Sequence, residues 1–468
     1  MKQKSTVYMY VTVVLIVLFG TIPMELFSAP KEMTLAALGD CIICRKFSVR
    51  KDPGFLELVK IIRSADCTWA NCEMPIIESS STYLEYREMD LPGAHEPWTA
   101  DELKWLGVDL VGIANNHTMD CGREGLFSTI KNLKRVGIGY AGAGIDLEDA
   151  SRARYVDTAI GRVGQVNCAS TFHKGTQASL PTPYIKGRPG LNSLQVFDIL
   201  RIKKESFNSI KKILDDTEKY FGWDERGVEE KLDPKKSKKK GKEKKEIKFM
   251  DMRFVQGDRF DYMGKHNPKD LERFIASVKI ARKSARIVIA SIHEHRGGNK
   301  GKAPVKFLED FARACIDAGA DVVFNTGPHR LWGIEIYKNK PIFYSLGNFF
   351  FEITSDHLTS EVFTMMGLEP DTRDASLALE RINKGFFNES CYWESIVPVI
   401  TFENRNDVTG IKLYPIELGQ KKPLYEQGSP ALASKERGKA IIQELVKLSK
   451  PYKTKIEFQE GAGIIKLK

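Results

Sequence analysis

A polar segment at the end of an apolar run constrains this chain more than any other feature. Val108 to Ile113 reads as a buried strand and continues directly into Ala114-Asn115-Asn116-His117-Thr118-Met119-Asp120. Two amides, an imidazole and a carboxylate are poor core material. Burying one amide-like group without a partner costs roughly 2–7 kcal/mol. A metal satisfies such groups, since an amide oxygen and an imidazole are good ligands and a neighbouring carboxylate can orient the ring. The segment therefore predicts a metal-dependent site at the edge of a sheet.

The same punctuation recurs along the chain. Met33 to Leu38 is a predicted strand ending at Gly39-Asp40, and Cys67 to Ala70 is one ending at Asn71-Cys72-Glu73. Ile287 to Ile292 leads to His293-Glu294-His295, and Asp321 to Phe324 leads to Asn325-Thr326-Gly327-Pro328-His329. Ile342 to Leu346 ends at Gly347-Asn348. Amphipathic stretches at 54–64, 99–106, 123–136, 268–286 and 304–319 alternate with these runs as helices. This βα rhythm predicts a layered α/β fold. Ligands in open α/β sheets sit beyond the carboxyl ends of strands, where these polar groups fall.

The chain has 468 residues, enough for one large α/β domain or two. Its composition, 42% hydrophobic and 28% charged, is that of a folded protein. The formal charge of +10 is mostly local, because Lys235 to Lys245 alone holds eight Lys and one Glu. That run reads as a solvated, disordered insertion, or as a contact for a polyanion or anionic lipid heads. No aromatic residues interleave it, which argues against nucleic acid.

Four segments follow. Residues 1–30 carry Lys2 and Lys4 before an apolar run from Val7 to Phe19, the pattern of a secretory signal or an uncleaved membrane anchor. Export is expected either way, with the body secreted or held facing outside the membrane. Residues 31–170 and 268–350 form the α/β core. Residues 171–267 break the rhythm and read as an insertion or lid, with a helix at 208–219 and the Lys-rich run at 231–248. Residues 351–468 form a C-terminal extension whose hairpin and helix pack on the core. The eight cysteines are irregularly spaced, so buried free thiols are the default, although an exported location permits a bridge among Cys41, Cys72 and Cys121.

Gathered together, the strand-end groups are Asp40, Glu73, Asn116, His117, His293, His295 and His329. Four of the chain's eight histidines stand among them. Mixed nitrogen and oxygen donors suit one or two divalent ions such as Mn, Zn or Fe. A metal makes hydroxide available near neutral pH, and an imidazole beside it can protonate a leaving group. Those parts suit hydrolysis of a phosphoester or an amide. His-x-His on a strand points both rings to one face. His95, His266 and His357 lack such a context and are expected at the surface.

In order and spacing these motifs resemble the bacterial poly-γ-glutamate capsule synthesis family of the CapA type, within the calcineurin-like metallophosphoesterase superfamily. Gly39-Asp40 matches the first motif. Asn71-Cys72-Glu73 matches Asn-Leu-Glu, and Ala114-Asn115-Asn116-His117 with Asp120 and Gly122 matches the Ala-Asn-Asn-His signature. Ser291-Ile292-His293, Gly327-Pro328-His329 and Tyr344-Ser345-Leu346-Gly347-Asn348-Phe349 match the later motifs.

The resemblance implies a four-layer α/β/β/α sandwich of the metallophosphoesterase type. It implies Asp40, Glu73, Asn116, His293 and His329 as metal ligands and His117 as general acid. Asn115, Asp120, His295, Thr326 and Asn348 are left to orient these groups or to touch substrate. It further implies an anionic polymer or phosphoester substrate, or a non-catalytic place in a membrane-embedded polymer synthesis and export complex. Two departures matter: Ile42 and Thr326 stand where the superfamily often has histidines, so one metal is dressed more fully than two.

Overall fold

The computed structural model describes residues 32–78, 95–221, 246–249, 252–298, 300–353, 358, 360–371, 374–385, 387–403 and 407–467. The predicted leader, the run from Lys235 to Lys245 and His357 lie outside the described residues. Among the described residues no helix is long and apolar enough to cross a membrane.

The first half of the core runs β1 (Glu32–Ile42), α1 (Pro53–Arg63), β2 (Cys67–Cys72), α2 (Trp98–Leu106), β3 (Leu110–Gly112), α3 (Gly122–Arg135), β4 (Gly139–Ala141), β5 (Arg154–Thr158) and β6 (Gly161–Ala169). The second half runs α4 (Pro268–Ser284), β7 (Ile287–His293), α5 (Lys306–Asp317), β8 (Val322–Thr326), β9 (Ile334–Tyr337), β10 (Lys340–Phe343) and β11 (Asn348–Phe351). It closes with β12 (Glu394–Glu403), β13 (Asp407–Glu417), α6 (Lys435–Ser449), β14 (Glu457–Gln459) and β15 (Ala462–Lys466). Local chemistry sets several helix boundaries. Asp52 accepts from the Phe55 N–H with Pro53 at the first helical position, and Asn267 does the same for Lys269 ahead of Pro268.

These strands build two sheets. The first has the order β14-β15-β13-β12-β1-β2-β3-β4, with β11 also paired to β1, and the second has β9-β10-β8-β7-β6-β5. β1 to β4 are parallel, as are β6, β7, β8 and β10. The C-terminal hairpin β12–β13 continues the first sheet, pairing antiparallel on β1 from Glu32 to Ala36.

Strand alternation assigns each sheet an inner and an outer face. Met33, Leu35, Trp69 and Leu110 of the first sheet meet Ile287, Ile289, Val322 and Phe324 of the second in one apolar layer. Trp69 stacks on Phe324 at 5.0 Å between ring centroids. Leu38, Ala70 and Val111 face outward onto α1, α2 and α3. Val288, Ala290, Ile292 and Val323 face outward onto α4 and α5. Helix, sheet, sheet, helix is the four-layer sandwich.

Two polar bridges cross the inner layer beneath the strand ends. The Trp69 indole donates to Gln165 Oε1 at 3.1 Å, and Gln165 donates to the Val111 carbonyl at 3.2 Å. Asn167 accepts from the Ala114 N–H at 2.7 Å and donates to Ser291 Oγ at 2.9 Å.

Residues 171–267 contain structure of their own. Strands Ile199–Lys203 and Met252–Gly257 pair in a four-stranded sheet, and helix Lys204–Phe221 packs on it through Phe207 and Leu214. The helix begins four residues before the predicted Asn208. None of the eight cysteines is in a disulfide, and six of them are buried.

Candidate metal centre

Asp40 lies inside β1 rather than beyond its end. The strand shifts register between Ala37 and Asp40 and continues to Ile42, because β11 supplies a second partner there. The Asp40 N–H donates to the Gly347 carbonyl at 3.0 Å. Gly39 permits this approach, since a Cβ at that position would meet Gly347 O at 1.9 Å. The Asp40 carboxylate is fully buried and accepts from Asn71 Nδ2 at 2.8 Å and from the Gly327 N–H at 3.1 Å. Burial pushes its pKa up, but His329, His293 and Asn71 outweigh that and hold it well below the usual carboxylate range.

Glu73 follows β2 and is also fully buried. Its Oε1 lies 3.6 Å from His329 Nε2 and 3.7 Å from His293 Nε2. Two groups of donor atoms therefore share Glu73, each with its atoms within 4.8 Å of one another: Asp40, Glu73 and His329, and Glu73, His293 and His295.

The segment from Ala114 to Asp120, after β3, reaches these donors through Asn116. Thr118 Oγ1 donates to the Ile113 carbonyl and accepts from the Asn115 N–H. Asn115 does not face the donors. Its amide donates to the Cys72 carbonyl at 2.8 Å and its oxygen accepts from the His117 N–H at 3.1 Å, so it ties the segment to β2. Asn116 points its Oδ1 to within 2.8 Å of His293 Nε2. His117 Nδ1 lies 2.7 Å from Asp120 Oδ2, with both side chains buried.

The second sheet contributes the imidazoles. His293 is the last residue of β7, and its Nδ1 lies 2.9 Å from Thr326 Oγ1 at the end of β8. His295 Nε2 is 2.8 Å from His293 Nε2. His329 adopts a left-handed backbone with φ of 54°, and its Nδ1 lies 2.8 Å from Asn348 Oδ1. Asn348 in turn donates to the His329 and Tyr392 carbonyls. Phe351 and Phe387 rings close on the side of His329.

The fold brings Asp40, Glu73, Asn116, His293, His295 and His329 together, with Thr326 and Asn348 one hydrogen bond behind; Asn115, His117 and Asp120 lie on the segment that carries Asn116. Cys41 and Cys72 lie beside it but form no bridge, and the neighbouring carboxylates reinforce burial in pushing both thiols up, that of Cys72 to about 12. His95 corrects a surface expectation. It is buried, and its Nε2 accepts from the Ile43 N–H at 2.9 Å, fixing the loop after β1. Its isolation in sequence gave no hint of that contact. Gln165, Asn167 and Glu352 were also missed, although a polar side chain inside an apolar run, as in Val163 to Ala169, is a readable signal. Glu352 is buried and accepts from the Cys44 and Arg45 N–H groups.

Carboxylates, an amide oxygen and imidazoles meet at the carboxyl ends of two facing sheets of the sandwich and form candidate metal-binding groups. This chain belongs to the bacterial capsule synthesis protein PGA_cap family, which matches residues 34–353. Protein y4sH of Sinorhizobium fredii is 32% identical over 447 residues, covering 93% of each chain. Capsule biosynthesis protein CapA of Bacillus anthracis is 23% identical over 328 residues, covering 69% of this chain and 60% of its own. A 5'-nucleotidase precursor from Thermus thermophilus matches with TM-score 0.30 and 11% identity, over 90% of this chain and 59% of that one, a likeness too loose to carry an argument.

Proposed function

We propose that this protein is a metal-dependent hydrolase of capsule or poly-γ-glutamate biosynthesis, acting on a phosphoester or a polymer amide bond. The reading rests on one observation above the others: two overlapping donor groups share the buried Glu73, with the His117–Asp120 pair on the segment that brings Asn116 to His293. Asp40, Glu73, Asn116, His293 and His329 would hold one or two divalent ions (Mn, Zn or Fe), a fit in donor chemistry and spacing. Bound there, such an ion polarises an ester or amide oxygen and lowers the pKa of water.

The chain's own groups do the rest. Asp120 holds His117 at Nδ1, which leaves Nε2 as the nitrogen that presents a proton to a leaving group. Asn115 keeps the His117 backbone in register with β2. The test compares wild type with His117→Ala in metal content and in turnover of an aryl phosphate and a γ-glutamyl polymer. Expected are retained metal and a loss of roughly 10²–10⁴-fold in rate. Absence of bound metal, or an unchanged rate, sinks the reading.

A second reading is a non-catalytic, membrane-associated component of a polymer synthesis and export complex. It is favoured by the name of the Bacillus anthracis relative, which describes capsule biosynthesis rather than a reaction. The basic and apolar N-terminal segment supports placement outside the membrane, anchored or secreted. Full polymer output from cells carrying His117→Ala, lost when residues 1–30 are removed, decides for this reading.

A further inference from the structure

Thr326 and Ile42 stand where imidazoles are often found in this superfamily, and neither can coordinate as one. Ile42 is buried in the apolar layer under the helices, and Thr326 is occupied in bonding His293 Nδ1. A third imidazole nevertheless reaches the centre by another route. His295 lies beyond the end of β7, two residues past His293, and its Nε2 comes to 2.8 Å from His293 Nε2.

The space it enters exists because residue 327 has no side chain. A Cβ on Gly327 would lie 2.5 Å from His295 Cδ2, 2.9 Å from His295 Nε2 and 3.1 Å from His293 Nε2. The backbone there has φ of 108°, which also favours glycine. The place of the ring is fixed from behind. The His295 N–H donates to Thr171 Oγ1 at 3.0 Å. Next to it the buried Glu294 carboxylate accepts from the Arg296 N–H and guanidinium and from Ser170 Oγ. Arg296 also reaches Asp198 at the edge of the insertion, at 3.3 Å.

The spacing is that of ligands on one ion. Two donors about 2.1 Å from a cation stand about 3.0 Å apart at right angles and about 3.4 Å apart around a tetrahedral zinc. Around His293 Nε2, Asn116 Oδ1 and His295 Nε2 each lie at 2.8 Å and Glu73 Oε1 at 3.7 Å.

We propose that His295 is a metal ligand: with Glu73, His293 and Asn116 it completes a second divalent-cation position beside Asp40, Glu73 and His329. The proposal rests on the metal-dependent reading of this centre. It gives Gly327 the role of a socket for the ring, and it gives the 294–296 segment the task of holding that ring in place.

The experiment titrates metal-depleted full-length protein with zinc alone, following heat and bound metal, for wild type, His295→Ala and His329→Ala. Wild type is expected to bind two ions. His295→Ala weakens one site at least roughly 100-fold and leaves the other, whereas His329→Ala spares the His295 site. Nitrogen-15 histidine spectra of zinc-loaded wild type need no variant to fold, and there the Nε2 signals of His293, His295 and His329 all move on loading. An unmoved His295 signal, or two undiminished sites in His295→Ala, overturns the proposal and leaves an N–H···N bond between the rings. If wild type takes up no zinc, this proposal and the hydrolase reading fall together. If zinc binds as expected and no substrate turns over, only the hydrolase reading falls.

Discussion

The two sheets contribute unlike halves to the centre. The first sheet gives oxygen: Asp40 and Glu73, with Asn116 from the segment after β3, all nearly sealed from solvent. The second gives nitrogen: His293 on a strand end, then His295 and His329 on the turns beyond. The oxygen donors are tied by pairing of β1 with β2 and β11, and by the Asn71 and Gly327 bonds to Asp40. The imidazoles depend more on single contacts, such as Thr326 on His293 and Asn348 on His329. Asp40, buried with both carboxylate oxygens bonded, cannot move to rescue a lost neighbour, whereas a ring on a turn can be re-aimed. Damage on the oxygen side should therefore be broad, and damage on the nitrogen side local.

Glu73→Gln is the strongest way to break that contrast. Glu73 belongs to both donor groups, so removing its charge is expected to empty the whole centre and to lower any hydrolysis by roughly 10³-fold or more, with the circular dichroism spectrum unchanged. Loss of only one ion, measured by elemental analysis, would show that the two halves are not joined through this carboxylate.

Next comes the layer that aligns the halves. Phe324→Ala removes the ring stacked on Trp69 and is expected to cost about 3–5 kcal/mol in urea unfolding. A cost below about 1 kcal/mol would mean that the inter-sheet contact does not hold the strand ends in register.

Thr326→Val should have the smallest effect and sharpens the nitrogen side alone. It deletes the hydroxyl that orients His293 while keeping the side chain's shape. Metal affinity is expected to fall roughly 10–100-fold, the usual effect of losing a group that orients a ligand. Stability should change little, because the site sits at a strand end. An affinity equal to wild type would show that β7 alone aims the ring.

Much of this is legible in the sequence. The runs ending at Asp40, Glu73, Asn116, His293 and His329 carried both the strand assignment and the donor chemistry, since apolar stretches with coordinating ends have few other uses. Boundaries were less legible. Asp40 falls within β1 because β11, far later in the chain, continues the pairing there. His95 reads wrongly for a similar reason, as its partner Ile43 is distant in sequence, on the loop after β1. Gln165 and Asn167 look like interruptions of a strand until the opposing sheet supplies their partners.

Sequence by itself determined the inventory: which donors exist, their order, and the period-two and helical patterns that make two sheets with helices outside. Tertiary structure decided the grouping. Asp40 and His329 lie on different sheets, and only the shared apolar layer of Trp69, Phe324 and their neighbours brings those strand ends together. It also decided that a third imidazole, His295, stands beside His293. A missing side chain at Gly327 and a clamped segment at Glu294 are facts about space, and spacing along a chain does not encode space.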